Sequence, residues 1–216
     1  MAGQRPQLGT VLCAVAQVQS VCCMVRYVCT SGRITDWKKG MWRYIVHDLL
    51  AALRYLPYGV IAGLLTAIVL NRVNSSRKKQ GKNTFQLLPV SCLIMYVAIL
   101  LAITYFSREM GSRSGMDLQL LSTWGINQRN NAFVVENVLL FIPYGFVLAW
   151  ANVRQRRFTV NLLTGALTST AIECMQLITG RGFFQIDDIL TNILGTILGY
   201  LCFRLIFRRS DKHALS

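Results

Sequence analysis

Five long apolar runs dominate the pattern of hydrophobic and polar residues along this chain. Each run is close to the roughly twenty residues that an α-helix needs to cross the hydrocarbon core of a bilayer. The runs are Leu49–Leu70, Leu87–Phe106, Ala132–Ala151, Phe158–Ile178 and Ile189–Phe207. The pattern therefore predicts an all-α fold, a polytopic transmembrane helical bundle of about five spans whose outer surface contacts the lipid bilayer.

Polar residues within the runs are concentrated in the last two, where they keep to one side of each helix. On the fourth run, Glu173 and Gln176 are three residues apart and share a face. On the fifth run, small and polar residues fall opposite the leucines and isoleucines; they are Asp188, Thr191, Asn192, Gly195 and Gly199. Because small residues let helices approach closely, we predict that Gly165, Gly195 and Gly199 pack the fourth and fifth spans into a tight hairpin.

Composition agrees with a membrane protein, since 53% of the 216 residues are hydrophobic and only 15% are charged. The net charge of +14 does not indicate nucleic acid as a partner, because the basic residues lie at the ends of apolar runs and form no face with interleaved aromatics. The seven cysteines form no CxxC pair, and the chain has only two histidines. The sequence therefore predicts no catalytic residue, no metal site and no cofactor.

Basic residues occur at alternate loops, and this alternation predicts a topology. The loop Asn71–Asn83 carries five of them and no acid, and residues 154–157 and the segment after Arg204 are also basic. Since cytoplasmic loops are enriched in lysine and arginine, these three segments are predicted to be cytoplasmic. The loops Ser107–Asn131 and Gly180–Ile186 are then outside.

The first forty residues differ from the rest, and they allow three interpretations. Leu8–Val28 is moderately apolar and could form a weak extra N-terminal helix, or residues 14–16 could be a signal-peptide cleavage site. Alternatively, Met41 is the natural start, and the first forty residues are an N-terminal extension that results from a start site placed too far upstream. The topology favours this last interpretation, because the basic residues between 33 and 39 would otherwise lie outside.

The same topology gathers carboxyl, amide and arginine side chains at the outer side, as a candidate ligand-binding or structural polar cluster. Its members are Arg113, Asp117, Glu136, Asn137, Glu173, Gln176, Arg181, Asp187, Asp188 and Asn192. Glu173 and Asp188 are predicted to face each other across the hairpin, with Arg181 as a counter-charge. An ionisable residue within a span costs roughly 2.5–3.5 kcal/mol on insertion scales, so it usually has a partner or a role. Two interpretations stay open: a network that locks the hairpin, or an external pocket for a polar head group or a cation.

Three blocks of this sequence, taken together and in order, resemble the VanZ-like family. They are ENVLLFIPYG at residues 136–145, IECMQ at residues 172–176 and DDILTNILG at residues 187–195. The family's loop motif is matched only loosely, by residues 113–118. The resemblance covers roughly Leu87–Phe207 and implies a VanZ-like domain of four transmembrane helices at residues 87–207.

The rest of the chain would be additions to this domain. Residues 41–86 would supply an added N-terminal helix and a basic cytoplasmic loop, and residues 208–216 a basic cytoplasmic tail. The resemblance implies a multi-pass protein of the bacterial plasma membrane that acts at the outer face. The implied role is resistance to glycopeptides of the teicoplanin type, or cell-envelope homeostasis. The implied partner besides lipid is a glycopeptide antibiotic or a lipid-linked cell-wall precursor.

The residues also allow a second function class. Carboxylates are the side chains that Mg²⁺ prefers, and Glu173, Asp187 and Asp188 could hold this ion against a lipid-linked phosphate. The alternative is therefore a Mg²⁺-assisted enzyme, or a transporter, that acts on a lipid-linked phosphate.

Overall fold

A computed structural model describes residues 34–111 and 115–213 of the chain, with side chains for residues 40–111 and 115–207. The helices are α1 (Ile34–Ala52), α2 (Leu56–Lys79), α3 (Leu87–Leu101), α4 (Gln128–Ala151), α5 (Phe158–Ile178) and α6 (Ile186–His213). Within this part of the chain the only strands are β1 (Met116–Asp117) and β2 (Phe184–Gln185), which form one short parallel pair.

The chain divides into two units, Met1–Arg43 and Tyr44–Ser216. Of the first unit, the described part is the beginning of α1. Leu8–Val28 and the possible signal-peptide site lie outside the described residues, and the Met41 start stays a prediction. All contacts discussed below are within the second unit.

The prediction of an all-α transmembrane bundle is confirmed. Four helical segments of the described chain are long and apolar enough to cross a membrane: Gly40–Lys79, Leu87–Phe106, Gln128–Ala151 and Ile186–Phe207. The first segment joins α1 to α2 through a 3-10 turn, and Pro57 lies in the first turn of α2, where a missing N–H breaks no helical hydrogen bond.

Helix α5 is also long enough to span a bilayer, but it is less apolar than the four segments named above. Its 21 residues extend about 31 Å at the usual helical rise. Its buried residues include Asn161, Glu173 and Gln176. The helix therefore carries its polar residues on the side that faces protein, and this lowers its average hydropathy without exposing them to lipid.

The most extensive contact between helices joins α4 to α6, which run in the same direction. A Cβ atom on Gly195 would lie 2.8 Å from the Cβ of Phe141, and one on Gly199 would lie 2.8 Å from the Phe146 nitrogen. The prediction that these two glycines pack against α5 is therefore wrong, because they face α4. Gly165 does face α6, where a Cβ would lie 2.6 Å from Thr196 Oγ1.

Neighbouring helices connect at alternate ends of the bundle, and contacts show which loops share an end. The Tyr200 hydroxyl on α6 donates to the Arg156 carbonyl at 2.9 Å, which brings the loop before α5 to the C-terminal half of α6. At the other end, Gln176 Nε2 on α5 donates to the Thr104 carbonyl beyond α3, also at 2.9 Å.

It follows that the three basic segments lie at one end, here called the basic end. Residues 107–111, 115–127 and 179–185 lie at the opposite, acidic end.

Which end faces the cytoplasm stays a prediction, and cysteine labelling tests it. In a background without native cysteines, Ser76→Cys at the basic end should react with a membrane-impermeant maleimide only after the cells are permeabilised. Met110→Cys at the acidic end should react in intact cells. Both positions are exposed. Labelling of Ser76→Cys in intact cells would contradict the topology.

Candidate functional site

Two buried carboxyl groups, those of Glu173 on α5 and Asp188 on α6, lie close together at the acidic end. Their residues are only 3% and 9% exposed, and the two charges interact with each other. Glu173 Oε2 accepts from the backbone N–H of Gln185 at 3.1 Å, and the Asn137 side chain on α4 lies beside Asp188. Three helices therefore contribute to this carboxyl pair, which helical periodicity had placed on facing sides of α5 and α6.

The counter-charge of the carboxyl pair is Arg108, which the sequence did not single out. Its guanidinium forms no ion pair within 4 Å of either carboxyl in the described chain, but it is near enough to favour the charged form of both, and its Nη1 donates to Gln176 Oε1 at 3.4 Å. Arg108 is exposed whereas Gln176 is buried. An exposed cation is therefore the neighbouring positive charge of two buried acids. Its position just beyond an apolar run makes it a candidate, but Arg181 also lies just beyond an apolar run.

Arg181, the predicted counter-charge, has other partners. Its Nη1 donates to the carbonyls of Tyr105 at 3.1 Å and Arg108 at 2.7 Å, and its guanidinium lies 4.7 Å from the centroid of the Tyr105 ring. These carbonyls lie in and beyond a π turn, Ala102–Phe106, that ends the second span. Because helix ends leave carbonyls without intrahelical donors, Arg181 satisfies two of them. The prediction for Arg181 is therefore wrong.

Asp187 and Asp117 are not part of the carboxyl pair. They accept hydrogen bonds from the loop at the acidic end. Asp187 accepts from the backbone N–H groups of Leu121 at 2.7 Å and Thr123 at 3.0 Å. Asp117 Oδ2 accepts from the Ser122 hydroxyl at 2.7 Å. Successive residues of a helix point about 100° apart, so Asp187 and Asp188 reach different partners. Arg113, also predicted in this region, lies outside the described residues.

Asn192 extends the polar site one helical turn below Asp188. Its Nδ2 donates to the Ser169 hydroxyl at 2.9 Å, and its buried Oδ1 has no hydrogen-bond partner among the described residues. Thr196, one turn further, packs against Gly165 and Gly145 and closes the site from below. A buried polar atom without a partner is uncommon, so Asn192 Oδ1 is a free acceptor next to the carboxyl pair.

Glu136 has different charged neighbours, Asp48 and Arg129. Arg129 Nη1 is 2.8 Å from Asp48 Oδ2, and Glu136 Oε1 is buried without a hydrogen-bond partner in the described chain. The residues that the sequence predicts to form one cluster are thus divided among several separate groups of contacts. The carboxyl pair, Arg108, Asn137 and Gln176 form one group, which we call the acid site.

The acid site can bind a cationic or hydrogen-bonding group, since its two carboxyls have one guanidinium between them. It does not assemble the predicted Mg²⁺ ligands, because the Asp187 oxygens accept from loop N–H groups. In the part of the chain that the structure describes, no group of three or more His, Cys, Asp or Glu side chains is arranged to hold a metal ion.

Comparison with known proteins adds a family relationship. A family model described as VanZ/LLP1 matches residues 60–208. The protein VanZ of Enterococcus faecium is 31% identical over 80 residues, which are 37% of this chain and 47% of that protein. The aligned region thus spans about half the length of this relative. No solved structure matches the chain.

Proposed function

The chain belongs to the VanZ/LLP1 family, and on this premise we propose that it acts in resistance to a glycopeptide of the teicoplanin type, or in cell-envelope homeostasis. It acts at the outer face of the bacterial plasma membrane as a multi-pass protein. Its partner is a glycopeptide antibiotic or a lipid-linked cell-wall precursor. Residues 87–207 form the core of the functional domain, and the family match, which begins at residue 60, adds most of α2 to it.

One observation supports this proposal most directly: the acid site lies at the end of the bundle opposite the basic segments. If the basic end is cytoplasmic, as the distribution of lysine and arginine predicts, the acid site is at the outer face. Arg108 is the exposed member of the site, so an incoming cationic group competes with it for Glu173 and Asp188. Ionisable residues within a membrane are costly, and this cost favours a functional role for the pair.

Antibiotic susceptibility tests this function in the bacterium that carries the gene. A deletion strain should become more susceptible to teicoplanin and keep its susceptibility to an unrelated cell-wall antibiotic. Wild-type protein should restore resistance, and Glu173→Ala should leave susceptibility at the level of the deletion strain. Asp48→Asn is a matched control, because it removes an acid that pairs with Arg129 outside the acid site. It should restore resistance like the wild type.

Unchanged susceptibility of the deletion strain, together with altered amounts of lipid-linked precursors, would contradict the resistance role. That result would favour the enzyme or the transporter of a lipid-linked phosphate. Equal restoration by Glu173→Ala and wild type would show that the acid site is not needed for the function.

A further inference from the structure

The loop at the acidic end, residues 115–127, turns large apolar side chains away from the bundle. Its exposed apolar residues are Met116, Leu118, Leu120, Leu121, Trp124 and Ile126. Leu121 is 75% exposed, more than most apolar residues on the helix faces that contact lipid. A cluster of this size without a protein neighbour marks an interaction surface.

Hydrogen bonds tie the loop to the two helices beside it, through the N–H groups of alternate residues. Gln119 donates to Asp117 within the loop, Leu121 and Thr123 donate to Asp187 on α6, and Gly125 donates to Asn131 Oδ1 on α4 at 2.7 Å. These bonds hold Leu121 at a φ of 60°, a conformation that leucine rarely adopts. The loop is therefore held in a fixed shape against α4 and α6.

The loop also carries almost no charge. Asp117 is its only ionisable residue, and both oxygens of this carboxylate accept hydrogen bonds from within the loop. Exposed protein-binding surfaces are usually rimmed by charged and polar residues, and residues 115–127 offer no charged side chain for such a rim other than Asp117. An apolar surface with no outward charge suits a medium of low polarity.

We propose that this loop inserts its apolar side chains into the leaflet of the bilayer at the acidic end. The loop leads directly into α4, so its C-terminal end is at the edge of the hydrocarbon region. The first turns of α4 carry Arg129, which stacks on Tyr44 and Phe133 at 5.2 and 4.6 Å. Aromatic side chains are enriched at the interface between membrane and water, which places this level at the head groups. The insertion goes beyond the proposed function and does not depend on it.

The fluorescence of Trp124 tests the insertion in phosphatidylcholine nanodiscs, prepared with and without bromine on the acyl chains. Trp37, Trp42 and Trp150 are replaced by Phe, so that one of the four tryptophans reports alone. We expect brominated lipid to quench most of the Trp124 emission and iodide in the buffer to quench little of it. The difference between wild type and Trp124→Phe gives the same readout if the single-tryptophan variant does not fold.

The matched control is Ser76→Trp with Trp124→Phe in the same background, because Ser76 is exposed among basic residues near the end of α2. Iodide should quench this tryptophan strongly and brominated lipid should not. Iodide quenching of Trp124 as strong as at position 76 would place the loop in water and overturn the proposal. Protection of Trp124 from both quenchers would show that protein covers the loop, which would overturn it equally.

Discussion

Gly199→Leu should abolish the folded protein. The missing side chain of Gly199 lets the backbone of α4 at Ile142 and Phe146 lie directly against α6. A new side chain there meets backbone atoms, which cannot move aside as a flexible side chain does. Overpacking usually costs about 1–3 kcal/mol, and we expect the upper end or more because two helices must separate. The yield of monodisperse protein in mild detergent, and its thermal unfolding midpoint, measure the effect.

Gly63→Ala is the matched control for this substitution. Gly63 also lies in a helix contact, but an added Cβ would be 3.1 Å from the Cβ of Met95 and 3.4 Å from the Ser91 carbonyl. We expect a small decrease of the unfolding midpoint for Gly63→Ala, a larger one for Gly199→Ala and no folded Gly199→Leu protein. A wild-type yield of monodisperse Gly199→Leu would show that α4 and α6 do not meet at this position.

Glu173→Gln and Glu173→Leu should separate the role of the acid site in function from its role in folding. Glutamine keeps an oxygen that accepts from the Gln185 N–H, so the fold should persist while the loss of charge removes resistance. Leucine leaves this N–H without its acceptor, which costs about 1–3 kcal/mol when the group is buried. Glu173→Leu should therefore lower both the amount of protein in the membrane and the unfolding midpoint.

Glu136→Leu provides a control for the folding effect. Glu136 is also a carboxyl within a span, but its buried Oε1 has no hydrogen-bond partner in the described part of the chain. Its replacement should therefore cost less stability than Glu173→Leu. If Glu173→Gln keeps full resistance, the acid site is structural only. If Glu173→Leu unfolds at the wild-type midpoint, the hydrogen bond from Gln185 does not stabilise the bundle.

The sequence predicts the features of this protein that depend on one helix at a time. The length of each run follows from the thickness of the membrane, and the buried side of α6 follows from the helical period. Asn192 and Asp188 are buried and Leu194 is exposed, as that period requires.

Which helix lies opposite a given side is a different question, because periodicity gives the direction of a face and not its neighbour. The sequence therefore suggests α5, the preceding helix, as the packing partner of Gly195 and Gly199. In the structure they pack against α4 instead.

The counter-charge of the acid site shows a second limit. Arg108 and Arg181 both lie in short polar segments at the acidic end, and nothing in their local sequence distinguishes them. What decides between them is the π turn at the end of the second span, which presents backbone carbonyls to Arg181 and leaves Arg108 to the carboxyls. Single-turn π segments inside helices leave no reliable signature in the sequence, so this choice could not be read from it.

The parallel contact between α4 and α6 also determines when the protein can become native during its synthesis. Chains are made from the N-terminus, so α4 and α5 leave the ribosome before α6 exists. Until then, the face of α4 that receives Gly195 and Gly199 has only lipid to contact, and Glu173 lacks the N–H of Gln185. The bundle therefore cannot mature one helical hairpin at a time. Its closest helix contact and its acid site both require α6, so they form at the same stage.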